Sequence, residues 1–331
     1  MKNSLFQPKK ARIGGILVNS QVFLGGGVIK NPLAPELVQY LTQINVVGAV
    51  TIGSITPEGR GGNTGVLNWP DVTGAYATFV IEGGLHANGM RNLGIVETMN
   101  NLPDSALKPI VISVAGYSTN DYLSSLRVIV GHKNADRVKA IEVNCSCPTM
   151  GCAPLAYSID SLYELFSEIK KLQLAKPLWF KLSPYLTKED VTELGIEYPQ
   201  YDFSACPTVT EDFMTHLQKL LKEYTDIISA VIVSNGLPQV GRGAAIAVEK
   251  TAGNISTVAG LSGAALKAGN IKTITFMKTN GLTVDIIGCG GVLTKQDVSE
   301  YLDAGAAAVQ CSGGPIWGNG VEFFNNLQVL N

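Results

Sequence analysis

The chain has 331 residues, 46% of them hydrophobic and 16% charged, with a net charge of −2. That length suits one α/β barrel of about 250 residues plus insertions, and core volume is no constraint at this size. The near-neutral charge and the lack of a long Lys/Arg run argue against nucleic acid as a partner.

Short apolar, β-branched runs bounded by Gly, Asn or Pro recur along the chain. They are Val22 to Leu24, Gly48 to Ile52, Ile110 to Val114, Ala140 to Val143, Leu178 to Leu182, Ser229 to Val233, Val284 to Ile287 and Ala307 to Gln310. Continuous apolar runs are what parallel strands covered on both faces require. Helical patterns lie between many of them: Ala34 to Ile44, Asp121 to Val130, Ser158 to Leu172, Glu211 to Tyr224 and Thr294 to Ala304. Eight strands alternating with helices predict a (βα)8 TIM barrel, with a doubly wound open sheet as the other topology. Two stretches break the rhythm. Residues 56–94 are rich in Gly and Asn without helical period, and 186–207 are polar and Pro-bearing. Both read as loop insertions at strand ends, within one domain spanning 1–331.

Residues 1–12 are polar and basic and lack the apolar stretch of a signal peptide. No run of about 18 apolar residues is present to span a membrane. Six Cys, three of them crowded between 145 and 152, do not suit a secreted disulfide framework. A soluble, cytoplasmic protein is expected. Cys145, Cys147 and Cys152 lack the spacing and the fourth ligand of a zinc or iron–sulfur site, so no metal is expected.

Four segments carry candidate chemistry. In Ile141-Glu-Val-Asn-Cys-Ser-Cys-Pro148 a short apolar strand runs into a thiol-bearing turn, the place where α/β barrels keep their reactive groups. Cys147 can accept a proton there, and Asn144 can clamp a ligand. A buried structural Cys in a Pro turn fits the same residues. Lys181 interrupts an apolar strand, which is costly unless it is paired or faces a ligand; a snorkelling Lys at a strand end is the plainer reading. Asn235, ending the sixth strand, offers both a donor and an acceptor, or simply makes a turn. Ile286-Ile-Gly-Cys-Gly-Gly291 and Val309-Gln-Cys-Ser-Gly-Gly-Pro315 are two Gly-rich strand ends in series, late in the barrel. That arrangement lets backbone N–H groups close on a phosphate.

Together these segments resemble the dihydroorotate dehydrogenase family, in particular its soluble class with a Cys base. The likeness runs from about Leu24 to the C-terminus. It is sharpest at Asn144-Cys-Ser-Cys-Pro148, Lys181-Leu-Ser-Pro-Tyr185, Val233-Ser-Asn-Gly236, Ala259-Gly-Leu-Ser-Gly-Ala264, Ile287-Gly-Cys-Gly-Gly291 and Gln310 to Gly314. Gly25-Gly-Gly27 and Asn88-Gly-Met-Arg-Asn-Leu-Gly94 match more faintly. The resemblance implies an FMN-containing barrel and an oxidoreductase acting on a CH–CH bond. It implies Cys147 as the base and Lys181 at the flavin's pyrimidine edge. Gly25, Gly26, Ser54, Asn144, Lys181 and Ser234 would line the flavin. Gly263, Gly290, Gly291, Ser312 and Gly313 would hold its phosphate end. His86, Asn88, Gly89, Met90, Asn144, Thr149, Asn235 and Gly236 fall at the substrate. A homodimer is expected, with a possible electron-transfer partner.

The departures from the family pattern concentrate at the substrate. Gly53 stands where a Lys is usual, Thr149 and His86 stand where Asn is usual, and Gly236 stands where Ser is usual. Each lost amide clamp removes hydrogen bonds worth roughly 1 kcal/mol apiece. The expected substrate is therefore a small cyclic amide or amine. Authentic dihydroorotate oxidation is the alternative. A flavin-free barrel lyase with Lys181 as a Schiff-base amine and a flavoprotein scaffold without activity are the competing classes.

Overall fold

The structure, a computed structural model, describes residues 10–42, 44–62, 76–80, 83–86, 89–104, 106–147, 154–199, 201–240, 259–313, 315, 322–324 and 327. Eight parallel strands close into a barrel in sequence order. They are β1 (Val22–Ile29), β2 (Val47–Ile55), β3 (Ile110–Val114), β4 (Val138–Asn144), β5 (Leu178–Lys181), β6 (Ile228–Val233), β7 (Asp285–Cys289) and β8 (Ala308–Cys311). Ladders join each strand to the next, and β8 returns to β1 through Gln310 opposite Phe23. Each of the eight apolar runs in the sequence is a barrel strand. The open sheet is thereby excluded.

Helices pack outside: α1 (Pro35–Thr42), α2 (Ile95–Asn100), α3 (Thr119–Gly131), α4 (Ile159–Lys171), α5 (Lys188–Glu197), α6 (Glu211–Glu223), α7 (Lys267–Thr279) and α8 (Lys295–Asp303). Their starts follow the capping residues. Ser118, Thr187 and Thr294 each form a capping box with an Asp three residues on. In α4, Leu162, Leu165, Phe166 and Ile169 make the buried stripe. No helix among the described residues is long and apolar enough to cross a membrane.

The amino end of the barrel is closed by a hairpin, Ala11–Ile13 paired antiparallel with Ile16–Val18. Ile13, Ile16 and Val18 join Phe23, Ala49, Val111, Ala140, Trp179, Ala230, Ile287 and Ala308 in one buried cluster. The four alanines leave room for two rings, and Phe23 stacks on Trp179 with centroids 5.7 Å apart. Trp179 Nε1 donates to Gly14 O at 2.7 Å, which ties the hairpin to the barrel axis. Gly14 has φ +54°, and a Cβ there would overlap the indole.

The stretches 56–94 and 186–207 contain regular structure. Strand Glu58–Arg60 pairs with Asn92–Gly94. A four-stranded antiparallel sheet runs in the order Leu237–Val240, Ala259–Gly263, Gly83–His86, Tyr76–Val80, joining the segment after β2 to the segment after β6. Helix α5 lies within 186–207.

Trp179 is therefore expected to dominate the lower core. Trp179→Ala should destabilise the protein by roughly 3–5 kcal/mol in urea unfolding. Trp179→Phe should cost less, about the one lost hydrogen bond plus a smaller ring. Equal losses from the two variants would mean that the indole N–H, not ring volume, holds the hairpin.

Candidate active site

The interior of the barrel changes character toward its carboxyl end. The apolar layer around Trp179 gives way to buried polar side chains: Thr51, Ser113, Glu142, Lys181 and Gln310. They form one network. Lys181 Nζ donates to Gln310 Oε1 at 2.7 Å and lies 3.7 Å from Glu142 Oε1. Gln310 Nε2 donates to Glu142 Oε2 at 2.8 Å and to Thr51 Oγ1 at 3.2 Å. Ser113 Oγ donates to Glu142 Oε1 at 2.7 Å. Burial pulls the Lys181 ammonium down, but the charge of Glu142 more than offsets it, so Lys181 is held above its ordinary value. It stays protonated through the neutral range.

The network continues outward to the mouth. Ser54 Oγ lies 2.8 Å from Ser113 Oγ. Asn144 Nδ2 donates to Ser54 Oγ at 2.8 Å, and Asn235 Nδ2 donates to Asn144 Oδ1 at 2.8 Å. Asn235 Oδ1 accepts from Gly236 N at 2.7 Å. Tyr122 OH fixes the strand end by donating to Asn144 O at 2.8 Å. Asn144, Asn235, Ser54 and Lys181, singled out separately in the sequence, therefore share one hydrogen-bonded line.

On one side of this line lie the Gly-rich strand ends. Gly25 sits under Ser312 and Gln310, where a Cβ would overlap Ser312 Oγ. A Cβ on Gly26 would fall 3.5 Å from Glu142 Oε1. Gly290 and Gly291 have φ +114° and +66°, and a Cβ on Gly291 would fall 3.0 Å from Gly263 O. Gly291 thus approaches the Gly263–Ala264 backbone, while Gly290 lies against the side chains of Asn270 and Leu266. Gly263 opens a short 3-10 turn, Ala264–Leu266, with no side-chain cap. The start of α8 is different: Leu293 N and Thr294 N both donate to Asp297 Oδ2, so that helix end is satisfied by its own carboxylate. Ser312 Oγ is buried with no hydrogen-bond partner among the described residues. Gly313 follows it. Ser234 Oγ is engaged elsewhere, donating to Asn270 Oδ1 at 2.8 Å beneath the same region.

The thiol follows Asn144 by three residues, just past the end of β4. Cys147 is partly exposed, and its Sγ lies against Met90 Sδ. Met90 has φ +59° and Gly89 φ +61°. Asn92 braces this turn by donating to Met90 O at 2.7 Å and accepting from Gly94 N at 2.8 Å. Cys145, Cys289 and Cys311 are buried, and burial pushes each thiol up. Lys30, at the end of β1, is pulled down to about 8 by burial, with Arg91 lowering it further and Cys147 opposing. The backbone of His86 pairs with Gly260 in the antiparallel sheet. Asn88, Thr149 and Cys152, and the side chain of His86, lie outside the described residues. No group of three or more His, Cys, Asp or Glu side chains among the described residues could hold a metal ion.

Glu142, Gln310 and Lys30 were not singled out in the sequence. A signal for Glu142 was present: a carboxylate in the middle of Ala-Ile-Glu-Val, a run that must be covered on both faces. Gly53 explains one departure. Its φ is +130°, and a Cβ would fall 2.5 Å from Ser113 O, so this backbone excludes the Lys usual in the family pattern.

The family model for dihydroorotate dehydrogenase matches residues 12–205 and 204–328. This chain belongs to the dihydroorotate dehydrogenase family. It is thus an oxidoreductase of the dihydroorotate dehydrogenase type. Similar relatives include the catalytic subunit of dihydroorotate dehydrogenase B (NAD(+)) from Halalkalibacterium halodurans, 28% identical over 307 residues, covering 87% of this chain and 84% of the relative. The corresponding subunit from Listeria monocytogenes is 29% identical over 303 residues, with 87% and 84% covered. Among solved structures, DHODH from Eimeria tenella in complex with ferulenol superposes with a TM-score of 0.68 at 19% identity, over 99% of this chain and 84% of that one. That likeness supports the dihydroorotate dehydrogenase barrel at the level of fold.

Proposed function

We propose that this dihydroorotate dehydrogenase family member is an FMN-dependent oxidoreductase for a small cyclic amide or amine. One observation carries the reading. The carboxyl end of one barrel carries a protonated Lys181, an uncommitted buried hydroxyl beside a Gly-lined cradle and the partly exposed thiol of Cys147. The residues fit the cofactor. Gly263, Gly290, Gly291, Ser312 and Gly313 would take its phosphate through backbone N–H groups and the Ser312 hydroxyl. Gly25 and Gly26 keep the floor free of side chains. Ser54 and Asn144 would border the ring, and Lys181 would meet its polar edge. Ser234 would contribute by bracing Asn270 beneath the cradle. When bound, FMN would supply the two-electron chemistry of the reaction.

The protein's own residues would do the rest. Lys181 would stabilise negative charge that develops beside it. Cys147 would take a proton from the substrate carbon in the oxidative direction and return it in the reverse. A thiol has an ordinary pKa of about 8.5, which suits that work near neutrality when water is kept out. Asn144 and Asn235 would orient a planar amide, with Gly89, Met90 and Gly236 shaping its pocket and His86, Asn88 and Thr149 completing it. Lys30 puts a cation within electrostatic reach of the thiol and favours substrate oxygen there. A Schiff-base lyase is disfavoured, because Lys181 is held protonated and a protonated amine is no nucleophile. Reoxidation through an electron-transfer partner, and assembly as a homodimer, belong to the same proposal. The relatives' description as catalytic subunits supports the first.

Anaerobic mixing of the purified protein with a panel of dihydropyrimidines and other cyclic amides, followed at the flavin band, tests the reading. Dihydroorotate should reduce the flavin with an efficiency at least about 10³-fold below a dedicated enzyme, equivalent to roughly 4 kcal/mol of transition-state binding. Rapid reduction at micromolar dihydroorotate would restore the orthodox pyrimidine reaction. Cys147→Ala should keep its flavin and slow reduction by the true substrate by about 10²-fold or more; an unchanged rate would remove the thiol from the mechanism. Gly290→Asp should purify without flavin, because a side chain at φ +114° would press on Asn270 and Leu266 and distort the cradle. Full flavin in that variant would put the phosphate elsewhere.

A further inference from the structure

Glu142 is fully buried, and no residue of the mechanism above assigns it a role. Its two oxygens are both used: Oε1 by Ser113 Oγ and Oε2 by Gln310 Nε2. An ionised carboxylate only accepts hydrogen bonds, and that fact propagates. Ser113 must donate to Glu142, so its single proton is spent and Ser54 must donate to Ser113. Ser54 then accepts from Asn144 Nδ2, which turns Asn144 Oδ1 toward Asn235 Nδ2. Asn235 Oδ1 is left to accept from Gly236 N. On the other side, Gln310 donates to Glu142 through Nε2, so its Oε1 faces Lys181 Nζ. Every amide in the network therefore has one orientation, fixed from the carboxylate outward.

We propose that Glu142 is a positioning residue. It supplies the counter-charge for Lys181 and sets the direction of each hydrogen bond from the barrel axis to the Asn144–Asn235 pair. It acts through Lys181 and Ser113. The mouth that results presents N–H donors and an ammonium, and so selects ligands that offer carbonyl or anionic oxygens. The groups facing Lys181 are Glu142 from β4, Gln310 from β8 and the Cys289 thiol from β7. Cys145 is the other titratable group near Glu142. Both thiols are pushed up by burial and stay neutral, so Glu142 is the one carboxylate facing Lys181 among the described residues.

The inference rests on the reading of Lys181 as a cofactor contact, but its test does not require the flavin. In protein carrying ¹⁵N-lysine, the Lys181 Nζ signal, assigned by its loss in Lys181→Met, is followed against pH in wild type and Glu142→Gln. Wild-type Lys181 should keep its proton beyond the ordinary lysine pKa of about 10.4. In Glu142→Gln, an ammonium left buried without its counter-charge should titrate below about pH 9. Glu142→Asp should restore most of the wild-type behaviour. Coincident titrations in wild type and Glu142→Gln would overturn the proposal. If Glu142→Gln does not fold, Gln310→Leu decides. It removes the hydrogen-bond acceptor and leaves the carboxylate, so Lys181 should still titrate high, and a low titration there would assign the role to Gln310. A colourless wild-type protein would sink the flavin reading alone and leave this titration intact.

Discussion

A carboxylate and an ammonium share the buried interior of the barrel just below its mouth, and the arrangement of the site depends on that pair. Burying two charges costs desolvation that their attraction barely offsets, and removing one partner leaves the other stranded at roughly 3–5 kcal/mol. An apolar pair of equal volume would hold the barrel as well. The pair is therefore better explained by what it does at the mouth. Glu142 and Lys181 lie on neighbouring strands, with Asn144 opposite Lys181 in the ladder. The barrel's register thus puts charge, amide and thiol within a few residues of one another. Gln310 closes the network from β8, across the ring.

The rest of the fold serves that mouth by dividing the barrel into two ends. The amino end is packed by the hairpin, Phe23 and Trp179. Toward the carboxyl end, glycines within β1 and after β7 stand where a side chain would not fit. There a side chain would meet Ser312, Asn270 or Gly263. The antiparallel sheet formed by segments after β2 and after β6 brings Gly260 opposite His86 and walls one side of the opening. Apolar packing is concentrated below and polar side chains above, as expected of an α/β barrel whose loops carry function.

Much of this was legible in the sequence, for a definite reason. A parallel strand covered on both faces must read as an apolar run, and all eight did. Four of the helices predicted from pattern carry both a capping Ser or Thr and buried apolar residues. Helix α7 is different: its N-cap makes no side-chain bond, and its buried face includes Gly269, Asn270 and Thr273. Gly269 is there because a Cβ would overlap Leu186. The four-stranded sheet was not legible because its central pair, Gly83–His86 with Ala259–Gly263, joins short, Gly-rich segments that lie far apart in the chain. The site was legible where a residue is out of place on its own, as with Lys181 and the thiol turn. It was not legible where meaning arises only across the barrel. Ser113, Glu142 and Gln310 are separated by 29 and 168 residues, yet they converge on one carboxylate.

The proposed flavin would be held in this mouth by its phosphate, with Lys181 at the ring. The most direct measurement is the absorption spectrum of the purified protein, with the mass of the chromophore released on denaturation. The account predicts a yellow protein that releases FMN at close to one per chain. A colourless protein that takes up no FMN from solution would contradict it.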